Sequence, residues 1–223
     1  MPRNDSLFIF LFEKLGLNSC VFPHPASALR HLRYERFQLR GFMGWLRNFL
    51  AGRSGEHSMA ALTSGTKAPE FELKSLDGKR FSLGDELVRG PVVLAFFKVS
   101  CPTCQYALPF FERLHKAYGS KGIRLAGVSQ NDAREAGAFI KEFGLTFPVL
   151  LDDTRSYPVS NAYGLTNVPT IFWIAQDGEI EVSSVGWVKA DFEEINRRLA
   201  ESGQMAPQTM FKPGEDVRDF RAG

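Results

Sequence analysis

Cysteine is scarce in this chain: 223 residues carry three, Cys20, Cys101 and Cys104. A secreted scaffold stapled by disulfides carries more of them, in even number, so that class is excluded. Long apolar runs are missing too. No segment approaches the roughly 18 to 20 residues that a membrane-crossing helix needs. Histidine is limited to four, and His24, His31 and His57 all fall in the first 58 residues. There is no second cysteine pair, and His115 lies about three helical turns beyond Cys104, so a tetrahedral zinc site lacks its remaining ligands. Charge of one sign is missing from most of the chain. Residues 1–58 hold eight Lys+Arg against four Asp+Glu, whereas residues 59–223 hold 19 against 21. That larger part has no basic surplus to mark a nucleic-acid surface. What the sequence has in quantity is apolar matter, 44% hydrophobic with 20 Phe, enough for a packed core.

Residues 1–58 differ in kind from the rest. Seven of their eight basic residues are Arg, and Pro23-His24-Pro25 interrupts the segment. The apolar patch Leu7 to Phe12 is too short for a signal core and runs straight into Glu13 and Lys14. Leu17-Asn18-Ser19-Cys20 has a faint likeness to a lipoprotein cleavage box, against which stand Asn18 and the charges just upstream. Residues 39–52 place Leu39, Phe42, Met43, Leu46, Phe49 and Leu50 on one side of a short amphipathic helix. The segment reads as a disordered leader or as a start assigned too far upstream, with Met59-Ala60-Ala61 the natural beginning. The expected compartment is then the cytoplasm. Export or lipid anchoring is the alternative if residues 1–58 are a targeting segment.

From Ala68 the pattern becomes regular. Pro69 to Leu73 alternates like a short strand, and Asp77-Gly78 is a hairpin signal before Arg80 to Leu83. Residues 91–98 read as a strand that is apolar throughout, as in the middle of a sheet covered on both faces. Residues 102–119 read as a helix broken near its middle by Pro109. A strand follows over Gly122 to Val128. Asp132 is placed to cap a helix over 133–143 that stops at Gly144. Then come a strand over Pro148 to Leu151, a short helix over 155–163, a strand over Thr170 to Ala175, a turn at Asp177-Gly178, a returning strand to Ser184, and a helix over Asp191 to Ala200. This order predicts an α/β sandwich with a mixed sheet, over residues 59–202. Residues 203–223 are polar, contain Pro207 and Pro213, and read as a tail that Met210-Phe211 could dock.

The chemistry concentrates at Cys101-Pro102-Thr103-Cys104, directly after the apolar run Val92 to Phe97. A dithiol of this spacing can close a disulfide, hold a metal or pass a disulfide to another molecule. Thiol exchange requires a thiolate. Cys101 stands at the N-cap position, and Pro102 suits the first helical position because its missing N–H and fixed φ cost nothing there. The helix end favours an anion by about 0.3–1 kcal/mol. Backbone N–H groups of Thr103 and Cys104 add to this, with Lys98 a further candidate. Cys104 lies one turn inward, more buried and less reactive. This asymmetry points to Cys101 as the attacking thiol and Cys104 as the resolving one. His115 reads as a polar helix position rather than a catalytic group.

These residues, with Pro109 five residues after Cys104, Asn167-Val168-Pro169-Thr170 leading into a strand, Asp177-Gly178, and Gly186-Trp187 before the final helix, resemble the thioredoxin superfamily. The resemblance covers residues 66–202. It is nearest to redoxins of the alkyl hydroperoxide reductase/thiol-specific antioxidant group and to TlpA-like thiol-disulfide oxidoreductases. It implies a thioredoxin-like fold in which the strand–helix over 123–143 is similar to the redoxin insert. It further implies a cis peptide before Pro169, and substrate docking along the backbone of Val168 beside Pro169. The expected electron donor is a thioredoxin-type protein or a small thiol, with protein or small-molecule disulfides as substrates and no metal or organic cofactor implied. Two departures stand out. Ser100 replaces the tryptophan common before the first cysteine, and Ala95 occupies the place of the buried acid of thioredoxins. The peroxiredoxin alternative has a Pro-x-x-x-Thr-x-x-Cys pattern with an arginine across the site. Aligned on the fold, its cysteine falls near Cys104, its threonine near Cys101 and its arginine near Val168-Pro169, and neither the threonine nor the preceding proline is present.

Overall fold

The computed structural model describes residues 60–223. The leader, with Cys20, the helix expected over 39–52 and the start at Met59, lies outside the described residues. Strands β1 (Glu72–Lys74) and β2 (Arg80–Ser82) pair antiparallel with Leu73 opposite Phe81. The Asp77-Gly78 turn joins them, and Gly78 sits at φ +82 as the turn demands. Ser82 then caps a short helix that the sequence reading lacks, α1 (Leu83–Leu87), by accepting the Asp85 N–H at 3.4 Å.

The sheet is built around β3 (Val92–Phe97), six residues that are all fully buried. Helix α2 (Pro102–Tyr118) follows, then β4 (Arg124–Ser129) and α3 (Ala133–Phe143). Asp132 caps α3 at 2.8 Å, and Gly144 ends it in the left-handed region at φ +62. Next come β5 (Val149–Leu151), α4 (Pro158–Ala162), β6 (Thr170–Ile174) and β7 (Ile180–Val185). Helix α4 begins three residues later than its sequence pattern suggests, because Pro158 fits the first helical position and Tyr157 before it turns to φ 46. The strand order is β5-β4-β3-β6-β7, with β3, β4 and β5 parallel and β6 antiparallel to both its neighbours. The strand–helix pair expected over 123–143 is β4 with α3, and β4 lies inside the sheet against the whole of β3.

Alternation along β3 divides the interior. Val93, Ala95 and Phe97 face the side covered by α2 and α3, whereas Val92, Leu94 and Phe96 face α1 and Tyr163. Both faces are covered, so polar residues have no place in β3, which is why its sequence is apolar throughout. Helix α2 is continuous rather than broken at Pro109. Proline removes the bond to Gln105, an exposed residue. The flanking Ala107, Leu108, Phe110 and Phe111 are buried against the sheet and keep the two halves aligned.

The chain closes with β8 (Trp187–Val188), α5 (Lys189–Ser202) and β9 (Phe220–Arg221). Residues 203–223, polar in sequence, pack along α2. Met210 is buried, Phe211 meets the Phe110 ring edge-on at 5.6 Å, and Glu215 forms two bonds of 2.8 and 2.6 Å with the Arg113 guanidinium. Strand β9 then pairs antiparallel with β8, placing Arg221 opposite Trp187. Gly186 permits this close approach. Its φ is +79, and a Cβ there would fall 2.5 Å from the Arg221 carbonyl oxygen. Among the described residues no helix is long and apolar enough to cross a membrane.

Candidate active site

The buried strand β3 delivers the chain to the N-terminus of α2, and the two cysteines sit at that junction. Cys101 is the N-cap, with extended backbone (φ −84, ψ 116), and Pro102 takes the first helical turn. The Cys101 sulfur accepts the Cys104 N–H at 3.3 Å, one of the helix donors that has no partner within the helix. The loop before it is braced twice. Cys101 N–H donates to the Lys98 carbonyl at 3.1 Å, and Val99 N–H to Asn131 Oδ1 at 2.9 Å.

The two thiols are free and unequal. Cys101 is half-buried and Cys104 fully buried, packed among the side chains between β3 and α2. Burial pushes the Cys104 thiol far above its ordinary range. The Lys98 backbone opposes that shift and the neighbouring Cys101 reinforces it. Among the described residues no carboxylate is a cause of this shift, and Ala95 lies in the same apolar cluster. The Lys98 side chain is exposed, so the contact this residue makes with the site runs through its backbone.

The wall opposite the helix is the loop before β6. The Val168–Pro169 peptide is cis. The Cys101 thiol donates to the Val168 carbonyl at 3.2 Å, which fixes this backbone beside the half-buried sulfur. Pro169 is buried and its carbonyl accepts Gly186 N–H at 2.7 Å, tying the loop to β8. Thr103, between the two cysteines, is 7% exposed, and its hydroxyl donates to the Ala222 carbonyl at 2.7 Å. The structure thus brings Cys101, Pro102, Thr103, Cys104, Val168 and Pro169 together. His115 stands apart on α2. Its Nδ1 has no hydrogen-bond partner among the described residues, and burial lowers its pKa.

Three contributors carry no signal near the motif. Asn131, which braces the 98–101 loop, is itself buried and held by the Ser129 hydroxyl and by Glu135. Ala222 and Gly223 reach the site from more than a hundred residues away. The one sequence feature pointing to them is Gly186-Trp187, the place where β9 docks.

Residues 64–183 match the AhpC/TSA family. Over 140 residues the chain is 33% identical to thiol-disulfide oxidoreductase ResA of Geobacillus thermodenitrificans (strain NG80-2), covering 62% of this chain and 78% of that protein. It is 32% identical over 156 residues to the ResA of Bacillus subtilis (strain 168), covering 70% and 79%. Among solved structures, a thioredoxin family thiol:disulfide interchange protein from Chlorobium tepidum TLS superposes with a TM-score of 0.52 at 28% identity, covering 65% of this chain and 99% of that one.

Proposed function

The chain belongs to the AhpC/TSA family, and from its dithiol site we infer that it is a thiol-disulfide oxidoreductase exchanging disulfides through Cys101 and Cys104. Its fold is thioredoxin-like, with a mixed five-stranded sheet flanked by helices. One observation carries the division of labour between the cysteines. The half-buried Cys101 sulfur sits at a helix N-terminus in contact with the Val168 carbonyl, while Cys104 lies sealed behind it.

In the proposed reaction the Cys101 thiolate attacks one sulfur of a substrate disulfide. That S–S bond breaks, a mixed disulfide forms, and the departing thiolate takes a proton from water. Cys104 then attacks the Cys101 sulfur, and its proton passes to the departing substrate thiolate. The Cys101–Cys104 bond forms, the second substrate thiol leaves, and two electrons have passed from the dithiol to the substrate. A neutral, buried Cys104 suits the second step, since it cannot compete with Cys101 for the first. Val168, Pro169 and Thr103 line the space where the substrate chain lies. The chemistry needs no metal or organic cofactor, and a thioredoxin-type or small-thiol donor restores the dithiol. The compartment we propose is the cytoplasm. Fractionation of cells expressing the full chain tests it against export directed by residues 1–58.

Insulin-disulfide reduction and peroxide consumption by the wild type, Cys101→Ser and Cys104→Ser test the reading. The expected result is insulin reduction that Cys101→Ser abolishes. Peroxide turnover that survives Cys101→Ser and vanishes in Cys104→Ser would overturn it in favour of a thiol peroxidase.

A further inference from the structure

Residues 218–223 lie across the face where a substrate chain has to dock. Their carbonyls meet both walls of the site. Ala222 takes the Thr103 hydroxyl at 2.7 Å, and Gly223 takes the Asn167 side-chain amide at 3.2 Å. A Cβ built on Gly223 would stand 2.7 Å from the Val168 carbonyl oxygen, the same atom that receives the Cys101 thiol. The approach is strand addition. Phe220 and Arg221 pair antiparallel with β8, Asp219 accepts Lys189 N–H at 2.9 Å, and the Trp187 indole donates to the Arg218 carbonyl at 2.5 Å. Apart from Arg221, whose guanidinium lies 4.6 Å from the centre of the Tyr106 ring, the contacts are made by main chain. A backbone-mediated mode of this kind accepts many extended sequences.

The segment is fastened in two unequal parts. Residues up to Glu215 are anchored by the buried Met210, by Phe211 on Phe110 and by the Arg113 ion pair. Beyond them Phe220 is 61% exposed, and Ala222 and Gly223 are exposed. The outer part therefore buries little apolar surface, and it can lift while the anchor holds.

Resting on the disulfide-exchange reading above, we propose that residues 218–223 are a built-in occupant of the polypeptide-docking groove beside Cys101. A disulfide carried in an extended polypeptide reaches Cys101 only by displacing this segment, whereas a small disulfide does not compete with it. The crossing over Val168 also selects. A Cβ at the Gly223 position would stand 2.7 Å from the Val168 carbonyl oxygen, so polypeptides with glycine at that point dock best.

Accessibility of Cys101 tests the occupant independently of catalysis. In a Cys20→Ser background, alkylation by iodoacetamide is compared with alkylation by a maleimide carried on an extended octapeptide. The proteins are the full chain, a variant ending at Val217, and full-length Gly223→Val, with thermal unfolding as the check on folding. A groove closed about ten times as often as open lowers the apparent rate for a peptide about tenfold. Truncation and Gly223→Val are each expected to raise the peptide-maleimide rate by that factor, with the iodoacetamide rate changed less than about twofold. Free Arg-Asp-Phe-Arg-Ala-Gly peptide should slow the truncated protein again. If truncation unfolds the domain, Gly223→Val carries the result. An unchanged ratio of the two rates in the folded variants overturns the proposal. Insulin reduction by the same proteins separates the two readings. Altered alkylation with no insulin reduction in any of them sinks the catalytic reading and supports the occupant.

Discussion

Glu112 offers a quantitative test of how α2 is held. This carboxylate is 5% exposed on the helix that carries the cysteines. One oxygen accepts the Thr146 hydroxyl at 2.5 Å. The other accepts the N–H groups of Thr146 at 2.8 Å and Phe147 at 3.3 Å, and Lys116 Nζ stands 3.2 Å away. Burial pushes the Glu112 pKa up, but the Thr146 hydroxyl and N–H and the Lys116 ammonium together hold it below the ordinary 4.5. Glu112→Gln keeps the shape and removes the charge. A hydrogen bond to a charged group is worth about 1.5–3 kcal/mol against about 0.5–1.5 for a neutral one, so weakening the two shorter bonds costs about 2 kcal/mol. Glu112→Ala leaves the buried Phe147 N–H without an acceptor and strips the more exposed Thr146 N–H and hydroxyl of theirs, and costs about 3 kcal/mol. In a chain of this size, about 2 kcal/mol lowers Tm by about 6 °C. The sign with pH follows from the depressed folded-state pKa. The contribution is present above pH 4.5, the unfolded value, and is lost as pH falls through the lower folded value. Urea unfolding of both proteins at pH 7 and near pH 3 is the assay. The Glu112→Gln deficit should be about 2 kcal/mol at neutral pH and shrink on acidification. A deficit under about 0.5 kcal/mol at pH 7, or one equally large in acid, would refute the account.

Three more outcomes are expected. Cys104→Ser should accumulate a one-to-one mixed disulfide with substrate, visible by intact mass, and Cys101→Ser should form none; equal adducts would reverse the roles of the cysteines. Asn131→Ala removes the acceptor of Val99 N–H, so urea unfolding should show a loss of about 1–2 kcal/mol, accompanied by a fall in kcat/KM as the 98–101 loop loosens. In a double-mutant cycle, Arg113→Ala and Glu215→Gln should couple by about 1 kcal/mol at neutral pH. Because hydrogen bonds from Arg113 and the Lys212 backbone hold Glu215 down to about 2, that coupling should persist below pH 4.5 and vanish only near pH 2.

Much of the fold is legible because its signals are local. The all-apolar β3 reports coverage on both faces, Asp77-Gly78 reports a hairpin, and Asp132 and Gly144 bracket α3 at the residues the sequence marks. Pro102 after Cys101 announces the start of α2 because an N-terminal helical proline costs nothing. The local signals mislead where packing overrides them. Pro109 marks a break, yet buried residues on both sides carry the helix through. Helix α1 is absent from the sequence reading because five residues hold too little periodicity to register.

The sequence by itself determined the dithiol and its place after a buried strand, since each depends on residues a few positions apart; the proline loop beside it followed only from the resemblance to the thioredoxin superfamily. Only the tertiary structure decided what surrounds them. It gave the Cys101 thiol to the Val168 carbonyl, sealed Cys104 from water, put Asn131 behind the loop, and laid Ala222 on Thr103 at a separation of 119 residues. The Ala222 contact is made by a backbone carbonyl that every residue carries, so composition and spacing leave no mark of it. It exists because β9 finds an edge at β8 and Gly186 leaves the strand room.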